Sequence, residues 1–204
     1  MTNHDKSSVK KNGNGQGVYR AADDLDKDIV KEKQAAAMLL TTEGKPFIYQ
    51  GEELGYWGDA SNGDEYIRTP ILWDKAGKDC AKKGVNGKVD NSMLTSAISV
   101  EAQNSDSGSL LSVYKAWSRI RNTYPALADG TMTASPLNGG TIASWYMTST
   151  DGHKMLVVHN CGSSEKSMAV TDNISKPVAV LGAVKADKGT TLIMPGHSSV
   201  VFDL

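Results

Sequence analysis

The hydrophobic period of this chain changes at Asp129-Gly130, and that change limits the fold more than any other feature. Upstream, apolar residues recur at helical spacing in two segments, "DKDIVKEKQAAAMLLTTEG" and "SLLSVYKAWSRIRNTYPAL", with one short apolar run, "PFIYQG", between them. Downstream come six short runs, "TIASWYMTST", "HKMLVVHNCG", "EKSMAVT", "PVAVLGAV", "TTLIMP" and "HSSVVFDL". Gly, Asn, Asp and Pro punctuate them at the spacing of an antiparallel all-β module. A helical period does not settle as a strand, nor the reverse. Residues 1–128 are therefore expected to be α/β and residues 129–204 all-β.

Local signals refine this. In the first helical segment Asp26 is the expected N-cap, and Asp28 sits where a carboxylate suits the helix dipole. Ile29, the stem of Lys33, Ala36, Ala37 and Leu40 form the inward stripe. Gly44 suits the C-terminal cap, and Pro46 forbids continuation. "PFIYQG" reads as a buried strand. In the second segment Leu110, Leu111, Tyr114, Trp117 and Ile120 share a face, while Lys115, Arg119 and Arg121 fall on wetter ones. Residues 52–109 are polar and Gly-rich, with Trp57 and Trp73 among them. A loop of that length inside a compact domain is functional or disordered, and two indoles favour an ordered, functional one.

Composition removes several classes. Lys+Arg 22 against Asp+Glu 23 leaves a net charge of -1, so no field draws nucleic acid or anionic lipid. The basic pairs Lys10-Lys11 and Lys82-Lys83 are too short to restore one. No apolar run approaches a membrane span of roughly 20 residues, and the first residues lack the basic and apolar regions of a signal peptide. Cys80 and Cys161 allow either free thiols or one disulfide, with unpaired thiols favoured. The four histidines include no His-x-x-x-His pair, so zinc is not expected.

Four motifs occur in a telling order: "TNHD" at residues 2–5, "GKPFIYQGEELG" at 44–55, "RTPILWD" at 68–74 and "SLLSVYKAWSRIRNTYPAL" at 109–127. Together they resemble the C-terminal portion of the α-amylase family of retaining glycoside hydrolases, in the α-amylase, oligo-1,6-glucosidase and neopullulanase group. The resemblance implies the last two strands and helices of a (β/α)8 barrel, followed by the antiparallel β-sandwich called domain C. "TNHD" would end the seventh barrel strand and "PFIYQG" would be the eighth. A full barrel takes about 250 residues, so this chain of 204 residues is expected to be the tail of a longer enzyme. The missing partner is then the N-terminal barrel portion.

The resemblance also implies roles. Retaining glycosidases use a nucleophile and an acid/base carboxyl roughly 5–5.5 Å apart, and this family adds a third carboxylate. Asp5 resembles that third carboxylate, whose negative charge opposes the positive charge developing on the sugar. His4 resembles the imidazole that hydrogen-bonds sugar hydroxyls, with Asn3 beside it as a substrate contact. Arg68 resembles a loop residue that approaches substrate; its bland reading is a salt-bridged surface arginine. Trp57, Tyr56 and Tyr66 could stack on sugar rings, or instead pin the loop. Glu52 and Glu53 belong to the eighth-strand motif and read as architectural. No segment matches the nucleophile or the acid/base, so the chain alone is expected to be inactive.

The expected substrate is an α-glucan or maltooligosaccharide. No cofactor is expected in this chain, and the resemblance leaves calcium open for the parent enzyme. Two other readings follow from the same residues: a non-catalytic amylase-like binding or assembly protein, and an independent carbohydrate-binding β module. The second requires an exposed aromatic platform, for which Trp145, Tyr146 and Phe202 are the candidates. A surface rich in Thr, Ser and Asn leans toward a secreted or cell-surface bacterial protein.

Overall fold

The structure is a computed structural model, and it describes residues 19–58, 60, 63–76, 96–187 and 190–204. Among the described residues five α-helices precede eight strands: α1 Ala21–Asp24, α2 Ile29–Thr41, α3 Val100–Asn104, α4 Leu110–Thr123 and α5 Pro125–Asp129. The strands are β1 Thr131–Ala134, β2 Ile142–Thr148, β3 Lys154–Asn160, β4 Lys166–Ala169, β5 Pro177–Leu181, β6 Lys185–Asp187, β7 Thr191–Met194 and β8 Ser198–Asp203. The chain divides into two compact units, Met1–Glu32 with Phe47–Tyr114, and Lys33–Pro46 with Lys115–Leu204.

In the second unit two antiparallel sheets form a sandwich. One has the order β1-β2-β3-β8-β5 and the other β4-β7-β6. Leu156 and Val158 of β3, Val200 and Phe202 of β8, and Leu192 and Met194 of β7 make the core between them. Each such side chain, fully buried, contributes roughly 1.5–3 kcal/mol. Because side chains alternate along a strand, Met155, Val157 and His159 of β3 face the other way, and they are buried too. That second face is covered by the helical part of the same unit: Trp145 Nε1 and His159 Nε2 both reach Thr41 of α2. The central strands therefore read as nearly continuous apolar runs.

The helices differ from expectation in instructive ways. Asp26 and Lys27 have φ of 61° and 57°, a left-handed pair that cannot serve as an N-cap. The cap is Asp28, whose Oδ1 accepts from Val30 N at 2.9 Å while its carbonyl accepts from Glu32 N at 2.9 Å. Ile29 is consequently exposed, and the inward face of α2 is carried by Ala36, Ala37 and Leu40. In α4, Arg121 is not on a wet face: it is 5% exposed. Its guanidinium donates to the carbonyls of Leu40, Thr42, Gly44 and Ala128, tying off the end of α2.

"PFIYQG" is not a buried strand. Residues 45–49 join no ladder, and Phe47 is 72% exposed. A parallel barrel strand needs neighbours on both sides to pair its N–H and C=O groups. Among the described residues no strand flanks this run, and residues 2–5 lie outside the described residues. Two further strands, β1 and β6, escaped the sequence because both are short edges with every residue exposed.

Candidate functional site

Asn3, His4 and Asp5 lie outside the described residues, so the described part of the candidate site is the loop that carries Arg68. It starts from Gly51, whose φ of 82° is left-handed and where a Cβ would stand 2.6 Å from the Tyr56 ring. Only glycine fits there without strain. Tyr56 N closes the turn onto Gly51 O at 2.8 Å, and Glu52–Leu54 form a single 3-10 turn between them. Glu52 and Glu53 thus sit on a turn, not on a strand. Glu52 Oε2 accepts from Tyr49 N at 3.2 Å, which ties the carboxylate to the backbone just before the turn.

Buried polar contacts fix the rest of the loop. Arg20 is 1% exposed, and its fork donates to three backbone carbonyls: Gln50 O at 2.5 Å, Tyr56 O at 3.1 Å and Ile67 O at 2.7 Å. The rings of Tyr49 and Tyr56 lie 4.7 and 5.8 Å from the guanidinium carbon. Burial lowers the Arg20 pKa, opposed by the fields of Tyr49, Glu52 and Glu53, and an arginine so placed stays charged. Gln50 Nε2 donates to Thr69 O at 3.3 Å, and Leu72 N donates to the Tyr56 hydroxyl at 2.9 Å. Val100 N and Glu101 N, opening α3, donate to Leu72 O and Trp73 O. Gln103 then joins Leu54 O to Leu111 N.

Beneath the loop the carboxyl groups are crowded. Burial raises the Glu32 pKa, reinforced by Asp23 and Asp28. Burial likewise pushes Tyr114 far up, reinforced by Glu52, Glu53 and Glu32, so its phenol stays protonated. No group of His, Cys, Asp and Glu among the described residues is placed to hold a metal.

The expected site residues fall out unevenly. Arg68 lies on the surface, with Nη2 2.6 Å from Asp64 Oδ2. An exposed ion pair of this kind is worth about 0–1 kcal/mol, so the arginine can leave it for another acceptor. Tyr56 is core. Trp57 packs against the Leu54, Tyr56 and Leu111 cluster, with Lys27 Nζ 3.8 Å above its ring. Tyr56 therefore offers no face to a sugar, and one face of Trp57 is taken by Lys27. Sequence reading missed Arg20 altogether, since one arginine ahead of "AADD" carries no pattern that marks it as buried.

The model of the α-amylase catalytic domain matches residues 1–130, and that of the α-amylase SusG C-terminal domain matches residues 142–201. The chain belongs to the α-amylase family. It is 40% identical to the α-amylase SusG of Bacteroides thetaiotaomicron, over 91% of this chain and 28% of that protein. It is 28% identical to α-amylase 3 of Dictyoglomus thermophilum, over 98% of this chain and 37% of that protein. Among solved structures, the trehalulose synthase MutB of Pseudomonas mesoacidophila superposes with a TM-score of 0.76 at 21% identity, over 99% of this chain and 42% of that one. The chain thus spans less than two-fifths of these curated α-amylases. It carries the C-terminal part of an α-amylase-family (β/α)8 barrel domain together with the antiparallel β domain that follows. No described helix is long and apolar enough to cross a membrane.

Proposed function

We propose that this chain is the C-terminal part of a retaining glycoside hydrolase that cleaves α-glucosidic bonds of starch or maltooligosaccharides. The observation that carries this reading is the catalytic-domain match over residues 1–130, which includes "TNHD". In it Asp5 is the third carboxylate, stabilising the oxocarbenium-like transition state. His4 and Asn3 bind the hydroxyls of the sugar at the cleavage point, and Arg68 reaches the substrate from the loop above. The nucleophile and the acid/base belong to the missing barrel strands, so this chain alone does not hydrolyse. Action on external starch fits a secreted or cell-surface protein, the location this reading takes. This reading takes residues 1–128 as the barrel part and 129–204 as the β domain; the first family match ends at residue 130 and the second begins at residue 142.

The β domain serves as scaffold in this reading. Trp145 is buried, Phe202 is core, and Tyr146 lies beneath Lys154 Nζ at 3.5 Å while its hydroxyl donates to Asp172. None of them offers a sugar-binding platform. The test is release of reducing ends from amylose by the whole protein. Loss of that activity in Asp5→Asn supports the assignment; undiminished activity removes it. Binding of amylose without hydrolysis by the whole protein would favour the non-catalytic reading instead.

A further inference from the structure

We propose that Arg20 is a positioning residue for substrate binding, setting the path of the loop that presents Arg68. This rests on the role given to Arg68 above. The peptide that joins Ile67 to Arg68 contributes the Ile67 carbonyl, and Arg20 Nη1 holds that carbonyl at 2.7 Å. The other two arms of the same planar fork hold Gln50 O, at the entry of the loop, and Tyr56 O, at its first bend. One rigid group thereby fixes the relative positions of three points that are 6 to 17 residues apart in sequence. A guanidinium suits this because its donors are fixed in direction, whereas an ammonium is a point charge on a flexible stem.

A second stitch runs alongside. Arg20 N donates to Gly58 O at 3.2 Å, and Gly58 N donates to Asp23 Oδ2 at 2.8 Å. Gly58 also lets the Tyr66–Ile67 backbone come close, since a Cβ there would stand 2.4 Å from Tyr66 O. The start of α1 therefore grips the loop on both sides of its first bend. Burying a charge costs several kcal/mol unless it is paired and hydrogen-bonded, and an apolar side chain of similar volume is often as stabilising. What the guanidinium adds is a defined backbone path, and the residue at the far end of that path is Arg68.

The experiment combines amide hydrogen exchange with titration of maltoheptaose into the full-length protein that contains this chain, with Asp5→Asn throughout to stop turnover, for wild type at both arginines, Arg20→Met, Arg20→Lys, Arg68→Ala and the Arg20→Met/Arg68→Ala double variant. In Arg20→Met we expect faster exchange at Ile67, Arg68 and Leu72, with the amides of β3 and β8 unchanged. Maltoheptaose should bind about ten-fold more weakly to Arg20→Met and to Arg68→Ala. The double variant should be no weaker than the weaker single, because both act through one contact. Arg20→Lys should restore neither readout, and it replaces Arg20→Met if that variant does not fold. Additive losses, or wild-type exchange at Ile67 and Arg68 in Arg20→Met, would overturn the proposal. If wild type fails to bind maltoheptaose, the substrate role of Arg68 falls, and unchanged exchange at Arg68 would then remove the clamp as well.

Discussion

The indole Nε1–H of Trp145 on β2 donates to the carbonyl of Thr41 at 3.0 Å, joining the second face of the sheet to the last turn of α2. The final carbonyls of a helix have no partner within it, and Thr41 O is one of these. Trp145→Phe keeps most of the apolar area but leaves that buried acceptor unpaired. Such a loss costs about 1–3 kcal/mol. Urea unfolding followed by circular dichroism should show a lower midpoint with an unchanged slope.

His159 lies against the same indole, with ring centroids 5.0 Å apart. The Thr41 hydroxyl spends its proton on Ala37 O at 2.8 Å, so it accepts from His159 Nε2, and Ser199 Oγ donates to Nδ1. The ring is neutral, and burial lowers its pKa from 6.5 to about 3. Below pH 6.5 the unfolded chain takes up a proton that the folded ring refuses. Stability should therefore fall as pH drops from 6.5 toward 3, by at most roughly 1.4 kcal/mol per pH unit from this group. His159→Gln should be less stable at pH 7 and show a flatter acid limb in the same window.

Arg121 closes the end of α2 with four carbonyl contacts, and hydrogen bonds to a charged group are the stronger kind. Arg121→Met should cost about 3 kcal/mol and lower the thermal midpoint of the second unit. Arg121→Lys should recover only part of it, since an ammonium cannot reproduce the fork.

The β module was legible because its strands are short apolar runs punctuated by Gly, Asn, Asp and Pro, and β2, β3, β4, β5, β7 and β8 each fall within one of the six runs. The covered second face was less so. Nothing in "MLVVHN" says that His159 faces a helix, because an unbroken buried strand has no polar alternation to read. Arg121 was misread because helical periodicity assigns a charged side chain to water, and Arg20 was missed because no pattern marks it; both guanidinia are satisfied by backbone carbonyls brought from other segments. "PFIYQG" failed differently. Its composition is that of a buried strand, but a strand exists only where neighbours pair with it. At the site, Arg68 could be located, while the motif match alone carries Asn3, His4 and Asp5.

Gly51 tests the loop from another direction. Gly51→Ala combines a left-handed φ with a Cβ 2.6 Å from the Tyr56 ring. The expected cost is about 2 kcal/mol or more, confined to the first unit. Hydrogen exchange should quicken at Tyr56 and Leu72 while the amides of β3 and β8 keep their protection.

In the proposed function this chain supplies one carboxylate of a glucan-cleaving site whose other two lie in barrel strands outside it. The most direct measurement is reducing-end release from amylose by three purified proteins: this chain, the full-length protein that contains it, and that protein with Asp5→Asn. No product is expected from the chain, and steady product from the full-length protein. Asp5→Asn should cut that rate at least about a hundred-fold. Hydrolysis by the chain alone, or full activity in Asp5→Asn, would contradict it.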